Sequence, residues 1–244
     1  MAAGLAIVLG ACSSQQKSDV AETTPNPFFT EYTTPYGVPP FDQIEVAHYK
    51  PALLKGMEEQ TKEVEAIVSN PEEPTFENTI VALDQCGQLL QKAMYAFSGQ
   101  SSVNTNDEIQ ELEREIYPML SKHSDDISLN PALFARVKAV YENQAKFNLD
   151  KEQKKLLEET YKGFVRGGAN LPEADQAKLR ELNSEISMLQ LTFGQNVLKE
   201  TNAFQLVIDN EADLAGLPED VKVKAAETAK EMGKEGKWIF TLHN

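Results

Sequence analysis

The longest helical pattern in the chain is residues 172–202, PEADQAKLRELNSEISMLQLTFGQNVLKETN. Its large apolar residues recur every three or four positions, the period that places side chains on one face of an α-helix. They are Leu179, Leu182, Ile186, Leu189, Phe193 and Val197. We expect this face to pack against partner helices, because an apolar stripe on a helix is normally buried.

Five shorter segments with the same period precede this one, and each follows a helix start signal. In chain order the signals are Pro51, Thr75, Thr105 with Glu108, Asn130 with Pro131, and Asp150 with Gln153. The second segment reads as one helix that Thr75 caps and whose apolar stripe runs from Ile80 to Phe97, and Gly167-Gly168 should end the fifth. The sequence therefore predicts a mainly α fold, an amphipathic helical bundle.

The pattern changes after Asn202. Residues 203–208 and 238–242 are short runs rich in β-branched and aromatic residues, typical of strands, and a helix of roughly residues 218–232 lies between them. Two strands are too few for an independent sheet, so we expect a small pair packed on helices. The second run ends two residues before Asn244. We expect further structure to follow it, which would make this chain an incomplete part of a larger protein.

The first 26 residues form a separate region. Residues 2–11 are an apolar run of small residues, too short to span a bilayer but suited to the core of an export signal. Leu9-Gly10-Ala11-Cys12 resembles the lipobox of bacterial lipoprotein signals, although no Lys or Arg precedes the run. We predict a lipoprotein signal at residues 1–11, lipidation of Cys12, and a flexible tether at residues 12–26.

Composition excludes several classes of partner. The chain has 38 acidic and 23 basic residues and a net charge of −15, which repels phosphate backbones and anionic lipid heads. Nucleic acid is therefore not expected, and contact with a membrane is expected only through a lipid anchor. The two cysteines cannot form a disulfide framework, and Cys86 lies on an apolar helical face, as expected for a structural buried thiol.

A set of short motifs, in fixed order over nearly everything after residue 26, resembles the N-terminal region of thimet-oligopeptidase-like metallopeptidases. It fits the peptidyl-dipeptidase and oligopeptidase A branch best. The motifs are Asn26-Pro27-Phe28-Phe29, Pro39-Pro40-Phe41, His48-Tyr49-x-Pro51-Ala52, Pro74-Thr75-Phe76-Glu77-Asn78-Thr79-Ile80, Tyr161-x-x-Phe164-Val165-Arg166-x-Gly168-Ala169, Gly216-Leu217-Pro218 and Gly236-Lys237-Trp238-x-Phe240-Thr241-Leu242.

This resemblance implies a two-lobed, mostly helical enzyme that cleaves short peptides in a channel, with residues 27–244 as part of one channel wall. It also implies one zinc ion held by His-Glu-x-x-His and a later Glu, with the first Glu as general base. The sequence contains no His-Glu-x-x-His, and its only histidines are His48, His123 and His243. We therefore assign no catalytic and no metal-binding residue, and we expect the segment alone to bind no zinc and to be inactive.

The remaining candidate residues have ordinary structural interpretations. A metal site pairing His48 with His123 is conceivable, but the two lack a helical pairing motif. Glu108, Glu111, Glu113 and Glu115 could mimic a catalytic carboxylate pair, but mixed with Arg114 they are typical of a solvated helix face. Gly167-Gly168 lacks the spacing of a phosphate-binding loop.

Two hypotheses for the function stay open. The first is the N-terminal part of an exported zinc metallopeptidase of the peptidyl-dipeptidase type, lipid-anchored in the bacterial cell envelope and facing the periplasm. Its partners would be short peptides and the catalytic part that this chain lacks. The alternative is a non-catalytic helical lipoprotein that binds peptides or a partner protein. A purely structural envelope protein is a third, weaker interpretation. A His-Glu-x-x-His helix beyond Asn244 in the reading frame would decide between the first two.

Overall fold

The computed structural model describes residues 25–242, and it confirms a mainly α fold, since 72% of the described residues are helical. The elements follow one another as α1 (Val46–Ser69), a π-helical turn (Phe76–Val81) that continues into α2 (Ala82–Asp84), α3 (Gln88–Val103), α4 (Asp107–Ser128), α5 (Pro131–Glu142), α6 (Lys151–Arg166), α7 (Glu173–Ala203), β1 (Leu206–Ile208), α8 (Glu219–Glu231) and β2 (Trp238–Phe240).

The helices enclose two hydrophobic cores that share α1. The first lies between the N-terminal half of α1, α3 and α4, and its centre is a chain of aromatic contacts in which Tyr49 packs on Phe28 and Phe97 at ring distances of 5.4 and 5.1 Å. The second lies between the C-terminal half of α1, the π-helical turn, α5 and α6, around Ile80 and Leu133. Long helix α1 thus connects the two cores.

Side-chain caps confirm three of the predicted helix starts. Thr75 Oγ1 accepts the Asn78 N–H at 3.1 Å. Asn130 caps α5, and Asp150 and Gln153 exchange side-chain-to-backbone hydrogen bonds of 2.9 and 3.0 Å ahead of α6. Each cap satisfies N–H groups that the first helical turn leaves without a partner, which is why these short signals were predictive.

Two predicted helix starts are wrong by a few residues. The first helix begins at Val46 and not at Pro51, because an extra turn forms when the Glu45 N–H donates to His48 Nδ1 at 3.0 Å. The third is capped by Asn106 and not by Thr105, since Asn106 Oδ1 accepts the Ile109 N–H at 2.9 Å.

The helix predicted from Ile80 to Phe97 is broken. Gly87 takes a φ of +78°, which ends the π-helical and α2 segment and starts α3 in a new direction. Its N–H donates to Glu63 of α1 at 2.7 Å, and a Cβ there would lie 2.4 Å from the Gln60 side chain. Only glycine satisfies both conditions at this position.

The described residues do not cover the apolar stripe of α7, so its expected packing against partner helices stays a prediction. Helix α7 packs on α4, yet it carries no buried residue. Five of the six stripe residues are between 48% and 72% exposed; they are Leu182, Ile186, Leu189, Phe193 and Val197. The helix exists as predicted, but its apolar face points away from the other described elements.

The two predicted strands form one antiparallel pair, with Val207 opposite Ile239. The pair packs on α8, where Ile239, Ala225 and Ala229 are buried. The prediction of a small sheet supported by a helix is confirmed.

Candidate functional site

The contact between α4 and α7 is polar where a helix pair is normally apolar. Two buried carboxylates of α4, Glu113 and Asp125, are 7% and 6% exposed. Helix α7 supplies a neutral amide to each of them. Asn183 Nδ2 donates to Asp125 Oδ1 at 2.7 Å, and Gln195 Nε2 donates to Glu113 Oε2 at 3.3 Å. These hydrogen bonds explain which face of α7 turns inward, because a buried carboxylate without donors is costly.

Helical spacing places Glu113 on the inner face of α4. It follows Ile109 by four residues and precedes Ile116 by three, and both isoleucines are fully buried in the first core. Residues at these spacings share one side of a helix. The assignment of Glu113 to a solvated face was therefore wrong, although Glu108, Glu111 and Glu115 are exposed as predicted.

A cleft of about 470 Å³ opens beside Glu113, between α3, α4 and α7. Its lining is rich in hydroxyl and amide groups and has an aliphatic wall formed by Leu191 and Leu198. The Glu113 carboxylate also accepts a hydrogen bond from the Ser101 hydroxyl. In the same lining, the buried hydroxyl of Thr105 has no hydrogen-bond partner among the described residues.

The negative charge of Glu113 acts on another side chain that lines this cleft. Burial raises the pKa of the lining residue Tyr117, and the negative charge of Glu113 raises it further. Within residues 25–242 no lysine or arginine forms an ion pair with Glu113, whereas Asp126 on the same helix pairs with Arg180 at 2.8 Å. Glu113 is thus a buried acid whose assigned partners are neutral.

The structure separates the two described histidines. His48 lies at the start of α1 and accepts a backbone N–H, whereas His123 Nε2 lies 2.8 Å from Gln60 Oε1 in the middle of α1. Gln60 follows His48 by twelve residues, which is about 18 Å along a helix axis. The two imidazoles therefore cannot share one metal ion.

Cys86 lies in an inert environment. Its thiol is 3.2 Å from the Ala82 carbonyl oxygen, and burial, with a smaller effect from Glu63, raises its pKa to about 11. Cys86 is only partly buried, against the second core, and a raised pKa agrees with a structural thiol because a reactive cysteine needs a lowered one.

The glycine pair ends α6 as predicted. The Gly167 N–H donates to the Gly163 carbonyl at 2.8 Å, and Gly168 takes a φ of +92°. A Cβ at Gly168 would lie 2.5 Å from Leu179 of α7, so this turn also fixes how closely α7 can approach.

Two of the predicted site features fall outside the described residues, namely Cys12 with its signal and His243. Within residues 25–242, no three His, Cys, Asp or Glu side chains group in a way that could hold a metal ion. This part of the chain does not fit a zinc site. No helix between Pro25 and Leu242 combines the length and apolarity needed to cross a bilayer.

The sequence is similar to curated peptidases, although no family model matches the chain. It is 42% identical over 222 residues to a dipeptidyl carboxypeptidase of Escherichia coli (strain K12), an alignment that covers 91% of this chain and 33% of the relative. It is 32% identical over 207 residues to oligopeptidase A of Haemophilus influenzae, covering 84% and 30%. A thimet-like oligopeptidase of Dictyostelium discoideum is 25% identical over 201 residues, covering 81% and 29%.

The chain spans about a third of the length of these curated relatives. The similarity nevertheless extends over 91% of this chain for the first of them and 84% for the second. Over about a third of their length, the chain therefore resembles the dipeptidyl carboxypeptidases and oligopeptidases A of the thimet-oligopeptidase-like family.

Proposed function

We propose that the protein is a zinc metallopeptidase of the peptidyl-dipeptidase type, in which residues 27–244 form part of a channel wall and contribute no catalytic residue. The observation that carries this proposal is the 42% identity to a dipeptidyl carboxypeptidase over 91% of the chain. In this proposal zinc and its ligands belong to a part of the enzyme beyond the chain given, because the described residues offer no group of ligands.

The outer face of α7 supports a larger assembly. Its five large apolar side chains follow one another over four helical turns, each about half exposed or more. Contiguous apolar patches of more than a few hundred Å² are uncommon on monomers and mark contact surfaces. We assign this face to the part of the enzyme that the relatives have in the other two thirds of their length. A charged residue placed there would lose its hydration when the surface is covered.

For cellular location, we propose export and lipid attachment at Cys12, with the enzyme in the bacterial cell envelope on the periplasmic side. The support is the apolar run at residues 2–11 and the small residues before Cys12. Mass spectrometry of the mature N-terminus, after expression of the native reading frame, is the test. A diacylated Cys12 at the N-terminus is expected, and an unmodified Cys12 behind Met1 would reject the anchor.

Hydrolysis of short unblocked peptides tests the enzymatic proposal. The product of the complete native reading frame should release C-terminal dipeptides and should lose this activity to a metal chelator. The 244-residue chain alone should show no turnover with added zinc. Chelator-sensitive turnover by the 244-residue chain would refute its assignment as non-catalytic. A full-frame product without such turnover would refute the peptidase and favour the binding lipoprotein.

A matched pair of substitutions tests the α7 surface. In the full-frame product, Phe193→Asp should lower both stability and peptidase activity, because Phe193 is the most exposed residue of the stripe, at 72%. Thr192→Asp adds the same charge one position away, on an exposed side of α7 outside the stripe, and should change little. Equal behaviour of the two variants would show that this face is not covered.

A further inference from the structure

The cleft between α3, α4 and α7 contains an acid that the proposed function does not use. Glu113 is 7% exposed, and its assigned hydrogen bonds come from the Ser101 hydroxyl and the Gln195 amide. A buried carboxylate without a cation is costly, and neutral donors offset only part of that cost. A positively charged ligand in the cleft would therefore offset the remaining cost of burying the Glu113 carboxylate.

We propose that this cleft binds a small primary ammonium with an aliphatic tail, with Glu113 as the counter-ion. An ammonium group donates three hydrogen bonds and accepts none. The Glu113 carboxylate supplies one strong acceptor, and hydroxyl and amide oxygens elsewhere in the lining can supply others.

The size and lining of the cleft favour an organic ammonium over a bare metal ion. Its volume of about 470 Å³ lies within the range of roughly 300–1,000 Å³ typical of small-molecule sites. Leu191 and Leu198 provide an aliphatic wall for a tail. A metal ion would need at least two more acidic or imidazole side chains close to Glu113. Among the described residues, no such group of three exists.

The test is calorimetric titration of the 244-residue chain with L-leucinamide, whose neutral counterpart is N-acetyl-L-leucinamide. Leucinamide should bind saturably with a dissociation constant below about 10 mM, and the neutral amide should not bind. A free alkylamine and an α-amino amide share this ammonium chemistry. n-Pentylamine separates them: equal affinity assigns the site to alkylamines, and weaker affinity assigns it to α-amino amides.

Variants locate the site. Glu113→Gln keeps the shape but removes the charge, and it should weaken leucinamide binding by about tenfold or more, as expected for a lost charge-assisted hydrogen bond. Leu191→Ala removes part of the aliphatic wall, should weaken binding by a few-fold and leaves the hydrogen bonds to Glu113 intact, so the site stays testable if Glu113→Gln fails to fold. Glu111→Gln is the matched control, because Glu111 lies on the same helix, is exposed and pairs with Arg114 outside the cleft.

Three results would overturn the proposal. These are an absence of saturable binding, binding of the neutral amide with equal affinity, and unchanged affinity in both Glu113→Gln and Leu191→Ala. Because none of these measurements involves peptide hydrolysis, their outcome is independent of the proposed peptidase function.

Discussion

Gly56 in the middle of α1 is where helices α1 and α3 come closest together. A Cβ added there would lie 2.6 Å from both the Cα and the N of Leu90 in α3. These are backbone atoms, so no side-chain rotation can relieve the contact. Ordinary contacts between carbon atoms are roughly 3.5–4.0 Å, and Gly56→Ala must therefore push the two helices apart by about 1 Å.

Two opposing effects set the result of Gly56→Ala. Alanine is a better helix former than glycine and would by itself stabilise α1 by about 1 kcal/mol. Overpacking of a tight core costs about 1–3 kcal/mol, and the rigid α1–α3 contact favours the upper end of that range. We expect a net loss of about 2 kcal/mol in the free energy of unfolding, which lowers the melting temperature by about 4–8 °C in a protein of this size.

Urea unfolding followed by circular dichroism measures this loss, and Gly99→Ala is the matched control. Gly99 also lies within a helix, α3, but a Cβ there meets nothing within 4 Å, so this variant should gain up to about 1 kcal/mol. If Gly56→Ala is as stable as Gly99→Ala, the close approach of α1 and α3 is not as described.

Three further predictions concern single residues. Asp150→Ala removes the cap of α6 and should lower the free energy of unfolding by about 1 kcal/mol. Asp150→Asn keeps a capping oxygen and should lower it by less. The urea midpoints of the two variants measure the difference, and equal losses would contradict the cap. Burial lowers the pKa of His123 below its ordinary value of 6.5, so the unfolded chain takes up a proton that the folded chain does not, and stability should fall as the pH drops below about 6.5. His123→Gln should remove most of the fall in urea midpoint below about pH 6.5. If the midpoint of the variant falls as steeply as that of the unchanged protein, other groups cause the pH dependence. Because the pKa of Cys86 is raised to about 11, iodoacetamide at about pH 8 should alkylate it about a hundredfold more slowly in the folded than in the urea-unfolded protein. Mass spectrometry of the Cys86 peptide measures the two rates. Equal rates would mean that the thiol is open to solvent.

Local hydrogen bonding made most of the helix boundaries predictable. Asn130 and Asp150 cap the helices that follow them through atoms only two or three residues away, so the sequence contains the whole interaction. The strand pair was predictable for a similar reason, because β-branched and aromatic runs favour extended backbone. Gly87 was missed, since its turn depends on Glu63 and Gln60 of a different helix.

The candidate site was largely beyond prediction from the sequence. Glu113 was assigned to a solvated face because it lies in a run of charged residues that includes Arg114, although its spacing from Ile109 and Ile116 indicated the inner face. Its partners, Ser101 and Gln195, lie 12 and 82 residues away. Periodicity says which residues share a face, but it does not say which other helix will cover that face.

The sequence by itself determined the helical class, most element boundaries, the C-terminal strand pair and the resemblance to a peptidase family, since these follow from periods, caps and motifs within short stretches. Only the tertiary structure decided the direction of α7. Its polar side satisfies two buried carboxylates of α4, and for this reason its apolar stripe faces outward. A sequence pattern predicts that an apolar face will be covered, but the burial of Glu113 and Asp125 required hydrogen-bond donors, and that requirement determined how α7 packs on α4.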